Sequence, residues 1–265
     1  MKSAVMLLTI AVAVGASTGS SATAWQNERP SSGYLTHDRI ADLASKVPAA
    51  PTSGSPAEVA DRAASARLAA LEETDRGLLA TRQAERRPGV ALAHFDGALG
   101  FRVVPGDSPR LVAILTRVLH DANEAAELAK ARVMRSRPVG DDPDRRSCQV
   151  VTPAQRATAS HPSGSASVGT AYGVVMAALV PDRADAVMET GRQIAVSRMI
   201  CGMHYPADVA DGAALGRAVG REIVAAPGFQ TDATAAREEI AAARAAAQAS
   251  PSCAAERAAL AIPIP

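Results

Sequence analysis

Residues 108–130, SPRLVAILTRVLHDANEAAELAK, set the fold class. Leu111, Ile114, Leu115, Val118, Leu119 and Ala122 recur at intervals of three and four, which places them on one face of a helix with 3.6 residues per turn. Ser108 stands directly before Pro109, the order expected of an N-cap and a first helical position. Ser55-Pro56-Ala57-Glu58 repeats that start signal, and Glu58 there completes a capping box. From Ser55 an alanine- and leucine-bearing stretch is expected to stay helical to about Glu85, until Pro88 and Gly89 stop it. Further helices are expected over 163–180, 182–200, 206–225 and 232–248. Between them, 90–106 and 139–160 read as irregular, the second as a long charged loop. Hydrophobic residues make up 48% of the 265-residue chain but aromatics only 3%. Abundant alanine with few aromatics favours close-packed helices over sheet.

The ends of the chain read differently. Lys2, an apolar run from Ala4 to Val14 and the small-residue stretch Ala22-Thr23-Ala24 have the order of a secretory signal peptide, with cleavage expected after Ala24. The apolar run is short for a membrane anchor, and charges interrupt every later one, so a soluble, exported protein is expected, periplasmic or secreted. The expected organisation is then a signal peptide (1–24), an extended Pro-, Ser- and Gly-rich arm (25–54), one helical domain (55–248) and a loose C-terminal tail (249–265). The formal net charge of +1 signals neither a nucleic-acid nor a membrane-surface partner. Three cysteines in an oxidising compartment allow at most one intramolecular bridge. Cys148 and Cys201 lie near two of the motifs described next; a bridge between them that leaves Cys253 free is expected, against the alternative of three free thiols. The cysteine spacing fits no zinc motif, and no metal cluster is evident.

Three segments carry the chemistry. They are Lys130 with Arg137-Pro138; Pro162-Ser163-Gly164-Ser165; and Ser197-Arg198 with His204 and Asp208. Each alone is commonplace: a basic helix end, a turn, a surface pair at i,i+4. Together they make an anion pocket. Lys130, Arg137 and Arg198 can surround a tetrahedral dianion, and the planar fork of arginine suits phosphate oxygens. Ser163 and Gly164 fall at an expected helix start, where free N–H groups and the helix dipole favour an anion. His204 precedes the helix expected from Pro206. Asp208, one turn on, is expected to hold one ring nitrogen protonated and leave the other as a nucleophile.

These segments resemble the signature of the bacterial class A non-specific acid phosphatases, within the type 2 phosphatidic acid phosphatase and vanadium haloperoxidase superfamily. That signature is Lys, six residues, Arg-Pro; then Pro-Ser-Gly-His; then Ser-Arg, five residues, His, three residues, Asp. The stretches HDANEAAELAKARVMRSRP (120–138) and GRQIAVSRMICGMHYPADVADG (191–212) are similar to the family throughout, and weaker similarity extends over roughly 50–240. The resemblance implies an all-α, compact helical bundle and hydrolysis of small phosphate monoesters without metal or other cofactor. It implies a phosphohistidine on His204, steadied by Asp208. Lys130, Arg137, Arg198, the Ser163 hydroxyl and the Gly164 N–H would hold the phosphoryl oxygens. It is also compatible with a homo-oligomer, and gives no reason to expect a membrane or nucleic-acid partner.

Position 165 departs from the signature: Ser165 stands where the family has the histidine that protonates the leaving group. Loss of a general acid typically costs about 10²–10⁴-fold, most for poor leaving groups. Two readings stay open, a slow or leaving-group-selective phosphatase and a phosphate binder with little turnover; a vanadate-dependent haloperoxidase is a third. His161 could substitute as the acid or be an exposed loop histidine. His37, His94 and His120 read as structural or solvated.

Overall fold

Proline starts many of the helices. Its fixed φ suits the first helical position, where its missing N–H costs nothing. In the computed structural model, which describes residues 32–265, helices α2 (Pro56–Leu68), α4 (Pro88–Ala91), α6 (Pro109–Lys130), α7 (Pro138–Asp141), α8 (Pro153–Arg156), α11 (Pro206–Ala225) and α12 (Pro227–Ala246) all begin this way. The remaining α-helices are α1 (His37–Ser45), α3 (Asp75–Gln83), α5 (Asp96–Leu99), α9 (Gly164–Leu179), α10 (Ala184–Ile200) and α13 (Cys253–Leu260). No strand occurs among the described residues, and the chain is all-α. The expected signal peptide lies outside the described residues.

Helix α9 is the axis of the bundle, enclosed by α6, α10 and α11. It is buried on nearly every side, and its small residues let its neighbours come close. Gly212 and Gly216, one turn apart on α11, lie against the backbone of Ser163 and Ser167, where an added Cβ would collide. The closeness of these two backbones fixes where the N-terminus of α9 sits relative to the start of α11. Around this axis Leu111, Ile114, Leu115 and Val118 of α6, Val168, Val175 and Met176 of α9, and Val219 and Ile223 of α11 form the main core.

Several sequence expectations need correction. The arm 25–54 is not extended throughout: His37–Ser45 is helical, capped by Thr36, and buries Ile40, Leu43 and Ala44. Its apolar residues at helical spacing outweigh the Pro- and Ser-rich surroundings. The helix expected from Ser55 to Glu85 is two helices; a 3₁₀ turn at Ala69–Leu71 intervenes, and Thr74 caps a new start by accepting from Arg76 N–H. Ser55 does cap α2, but the Glu58 carboxylate reaches Gly54 N–H rather than closing the box on Ser55. The irregular stretches hold the short helices α4, α5, α7 and α8. The tail is also ordered: α13 packs on α3 and α5 and buries Glu256 and Ala259. A disulfide joins Cys148 to Cys201, and Cys253 is free.

Candidate active site

The signature residues fall at helix ends, and the bundle brings those ends together. Lys130 closes α6, Arg137 precedes α7, Gly164 and Ser165 open α9, Arg198 sits in the last turn of α10, and His204 precedes α11. All of them line one open cavity of about 210 Å³. Helix termini leave backbone groups and dipole ends unsatisfied, so converging termini make a polar site inside an alanine-rich bundle.

His204 lies on the cavity floor, 3% exposed. Its Nδ1 is 2.8 Å from the carbonyl oxygen of Ser160. A carbonyl only accepts, so Nδ1 carries the proton and Nε2 keeps its lone pair. Nε2 accepts from Arg137 Nη1 at 3.2 Å, and the ring is among the residues lining the cavity. Burial, followed by the charges of Arg137, Arg198 and Lys130, holds the imidazole well below its ordinary value of 6.5. The ring is therefore neutral at mildly acidic pH, the form a nitrogen nucleophile requires.

Asp208 supports this arrangement in a way the sequence did not show. The expected direct contact with His204 is replaced by a relay. Asp208 is fully buried and accepts Ser160 Oγ–H at 2.6 Å, Tyr205 N–H at 2.8 Å and Arg135 Nη1 at 2.6 Å. Ser160, whose carbonyl holds His204, is thus anchored by Asp208 through its hydroxyl. Position N3 of α11 turns the Asp208 side chain back to cap its own helix, which takes it away from the ring. Arg135 in turn reaches Asp61 on α2 at 2.7 Å and lies over the Tyr205 ring. A guanidinium and two further donors thus satisfy the oxygens of this buried carboxylate.

The cations play different parts. Arg137 is built into the wall: its donors meet Thr158 Oγ, Met203 O and Ala159 O. Arg198 is the opposite case. It is 4% exposed, and its Nε and Nη1 have no hydrogen-bond partner. Burial, then the charges of Arg86 and Arg137, push its guanidinium down to about 9. An unpaired buried cation with two idle donors is costly unless an anion occupies the cavity. Burial also lowers Lys130, which pairs with Glu127 at 2.6 Å. Gly164 and Ser165 line the same cavity at the first turn of α9, where helix N–H groups have no intrahelical acceptor. Ser163 does not line the cavity; it is fully buried and its hydroxyl oxygen accepts Ala166 N–H, capping α9. Ser197 is likewise structural, tied to Arg76 and Gln83.

Two charged lining residues went unnoticed in the sequence. Arg86, just after α3, adds a fourth cation, and burial pushes its guanidinium down. Glu127, one turn before Lys130, is the one carboxylate among the residues lining the cavity. The i−3 spacing of Glu127 from Lys130 was the available signal for the second; Arg86 carried none. His161 is buried rather than an exposed loop residue, pairs through Nε2 with Asp211 Oδ2 at 2.8 Å, and is not among the residues lining the cavity. Among the described residues no group of three or more His, Cys, Asp or Glu is placed to hold a metal, and no helix is long and apolar enough to cross a membrane.

The sequence model of the PAP2 superfamily matches residues 111–232, the span that carries Lys130, Arg137, Gly164, Arg198, His204 and Asp208. Over that span the chain is similar to the PAP2 superfamily. It is similar to a non-specific acid phosphatase of Providencia stuartii, 27% identical over 223 residues, or 80% of this chain and 86% of that protein. An acid phosphatase of Zymomonas mobilis is 29% identical over 223 residues, 83% of this chain and 82% of that one. A non-specific acid phosphatase of Salmonella typhimurium is 29% identical over 148 residues, 55% of this chain. Within the matched span the disulfide has a local meaning. It ties the loop that bears Gln149 to the turn before His204, so one wall of the cavity is fixed to its floor.

Proposed function

We propose that the protein is an exported acid phosphatase that hydrolyses small phosphate monoesters through a phosphohistidine on His204. The observation that carries this reading is the pairing, in one small cavity, of a neutral Nε2 lone pair with the two idle donors of Arg198. A phosphoryl group satisfies both: its oxygens take the donors and its phosphorus meets the nucleophile.

The sequence of events follows. The ester's phosphoryl oxygens accept from Arg198, Lys130 and the first-turn N–H groups of Gly164 and Ser165, with Arg86 adding positive charge. His204 Nε2 forms a bond to phosphorus as the bond to the leaving oxygen breaks. The imidazole gains positive charge, and its Nδ1–H stays on the Ser160 carbonyl, which Asp208 anchors. Water then attacks phosphorus, the P–N bond breaks and orthophosphate leaves. Export rests on the signal-like residues 1–24 and on similarity to bacterial acid phosphatases; N-terminal sequencing of protein recovered outside the cytoplasm checks it, Trp25 being the expected first residue.

Ser165 favours one competing reading, a phosphate-binding protein that turns over little, because its hydroxyl cannot act as an acid near neutral pH. Hydrolysis of a chromogenic aryl phosphate at mildly acidic pH decides between them, with His204→Ala alongside. Activity in wild type and its loss in the variant support the phosphatase. Equal rates in both, with tight binding of inorganic phosphate, support the binder. Vanadate-dependent oxidation of bromide by the same protein would instead support a haloperoxidase.

A further inference from the structure

An alkoxide leaving from phosphorus needs a proton, and the cavity shows few ways to supply one. The arginines cannot give theirs up, and Ser165 and Thr158 hydroxyls do not titrate near neutrality. His204 is spent as the nucleophile. Lys130 holds the anion. What remains among the lining residues is the carboxyl of Glu127.

Its position fits the requirement. In-line displacement puts the leaving oxygen on the far side of phosphorus from the nucleophile. His204 forms the buried floor, so the leaving oxygen must point to the mouth of the cavity. Glu127 stands at that mouth, its side chain 57% exposed, on the last turns of α6. Glu127 Oε1 lies 2.6 Å from Lys130 Nζ, and 3.8 Å from the point where a Cβ on Gly164 would sit. The carboxyl is therefore beside the N–H groups that open α9, where the phosphoryl oxygens bind. Its charged neighbours are Lys130 on α6, Arg86 after α3 and Arg137 before α7.

We infer that Glu127 is the general acid of the first step and the general base of the second. The inference rests on the phosphatase reading. In the first step the carboxyl O–H of Glu127 gives its proton to the leaving oxygen as the P–O bond breaks, releasing an alcohol. In the second the resulting carboxylate takes a proton from water as that water attacks phosphorus and the P–N bond to His204 breaks. Orthophosphate leaves, Glu127 is again protonated, and the net reaction consumes one ester and one water. As the ester binds, Lys130 turns from Glu127 to the incoming phosphoryl oxygens.

The competing role for Glu127 is to hold Lys130 in place, and leaving-group dependence separates the two. kcat/KM reports the step in which the leaving group departs, and an aryl oxide needs no proton whereas an alkoxide does. Glu127→Gln should lower kcat/KM for an alkyl phosphate by about 100-fold or more while changing that for a nitrophenyl phosphate far less. Glu127→Asp should restore part of the alkyl activity. With the nitrophenyl ester, Glu127→Gln should also show a burst of nitrophenol, as the phosphoenzyme waits for a base. The side chain is exposed, so folding is expected to survive, and circular dichroism checks this. An equal fall for both esters with weakened inhibition by inorganic phosphate would assign Glu127 to positioning Lys130 and overturn the acid role. No change for either ester would overturn it too. A wild-type chain inactive on both esters would remove the phosphatase reading itself, and the acid with it.

Discussion

Ser160 Oγ donates to Asp208 Oδ2 at 2.6 Å, while the carbonyl of the same serine accepts from His204 Nδ1. A side chain and a backbone group of one residue thus couple the buried carboxylate to the ring. Ser160→Ala keeps the carbonyl and removes the anchor. We expect kcat to fall by roughly tenfold, in line with one lost hydrogen bond, with inhibition by inorganic phosphate nearly unchanged. Asp208→Asn should do more. It also leaves Arg135 facing a neutral amide, and breaking a buried pair costs about 3–5 kcal/mol. Steady-state kinetics and thermal unfolding of both variants check the order, and an equal effect of the two would argue against the relay.

The state of His204 is testable without substrate. Its folded-state pKa is depressed, so the native ring refuses a proton that the unfolded chain accepts near 6.5. Stability from this group is present above pH 6.5 and is lost as pH falls toward the lower folded value. An NMR titration of the five histidine rings should show two depressed below 6.5, His94 by burial and His204 as the more strongly depressed signal. That signal should vanish in His204→Gln. A His204 ring that titrates near its ordinary value would contradict the buried, cation-flanked environment.

Arg86 should behave as a member of the anion site although it lies outside the three motifs. Arg86→Gln removes a cation whose charge depresses both Lys130 and Arg198. Loss of a charged hydrogen bond of about 1.5–3 kcal/mol corresponds to an inhibition constant for inorganic phosphate weaker by tenfold or more. The protein should remain as stable as wild type or become more so, because a partly desolvated charge is removed. Unchanged phosphate inhibition would remove Arg86 from the site.

The Cys148–Cys201 bridge closes a 53-residue separation and holds the cavity wall to the His204 turn. Cys148→Ser should cost about 2–4 kcal/mol of stability and raise KM more than it lowers kcat, since Gln149 shifts with the loop. Chemical denaturation and Michaelis–Menten kinetics give both numbers. Intact KM in the reduced protein would show that the loop keeps its place without the bridge.

The parts of this site that were legible in the sequence share one physical trait. Arg137, Gly164, Arg198 and His204 sit where proline, glycine or serine punctuates a helix, and such punctuation is local. The helices themselves followed from the spacing of residues such as Ile114, Leu115 and Val118, and all-α packing from the alanine content. Arg86 and Asp61 reach the site across the fold, with no fixed spacing to the signature, while Arg135 and Ser160 lie in or beside the motifs and meet Asp208 only through the packing. Ser163 misled because a serine at a helix start serves the cap and the anion equally well in sequence, and only packing shows that Ala166 takes its oxygen. Asp208 misled for a related reason: four residues after His204 it can face the ring, but at N3 it caps α11. The helix at 37–45 was hidden by the Pro- and Ser-rich residues on either side of it.

The central claim is a covalent phosphoryl group on His204, and rapid quenching tests it most directly. Wild-type protein mixed with a phosphorus-labelled aryl phosphate and quenched in base should carry label that is stable to alkali and lost in acid. Peptide mapping should place that label on the fragment containing His204, and His204→Ala should carry none. Turnover without any trapped label, or label found on another residue, would contradict the account.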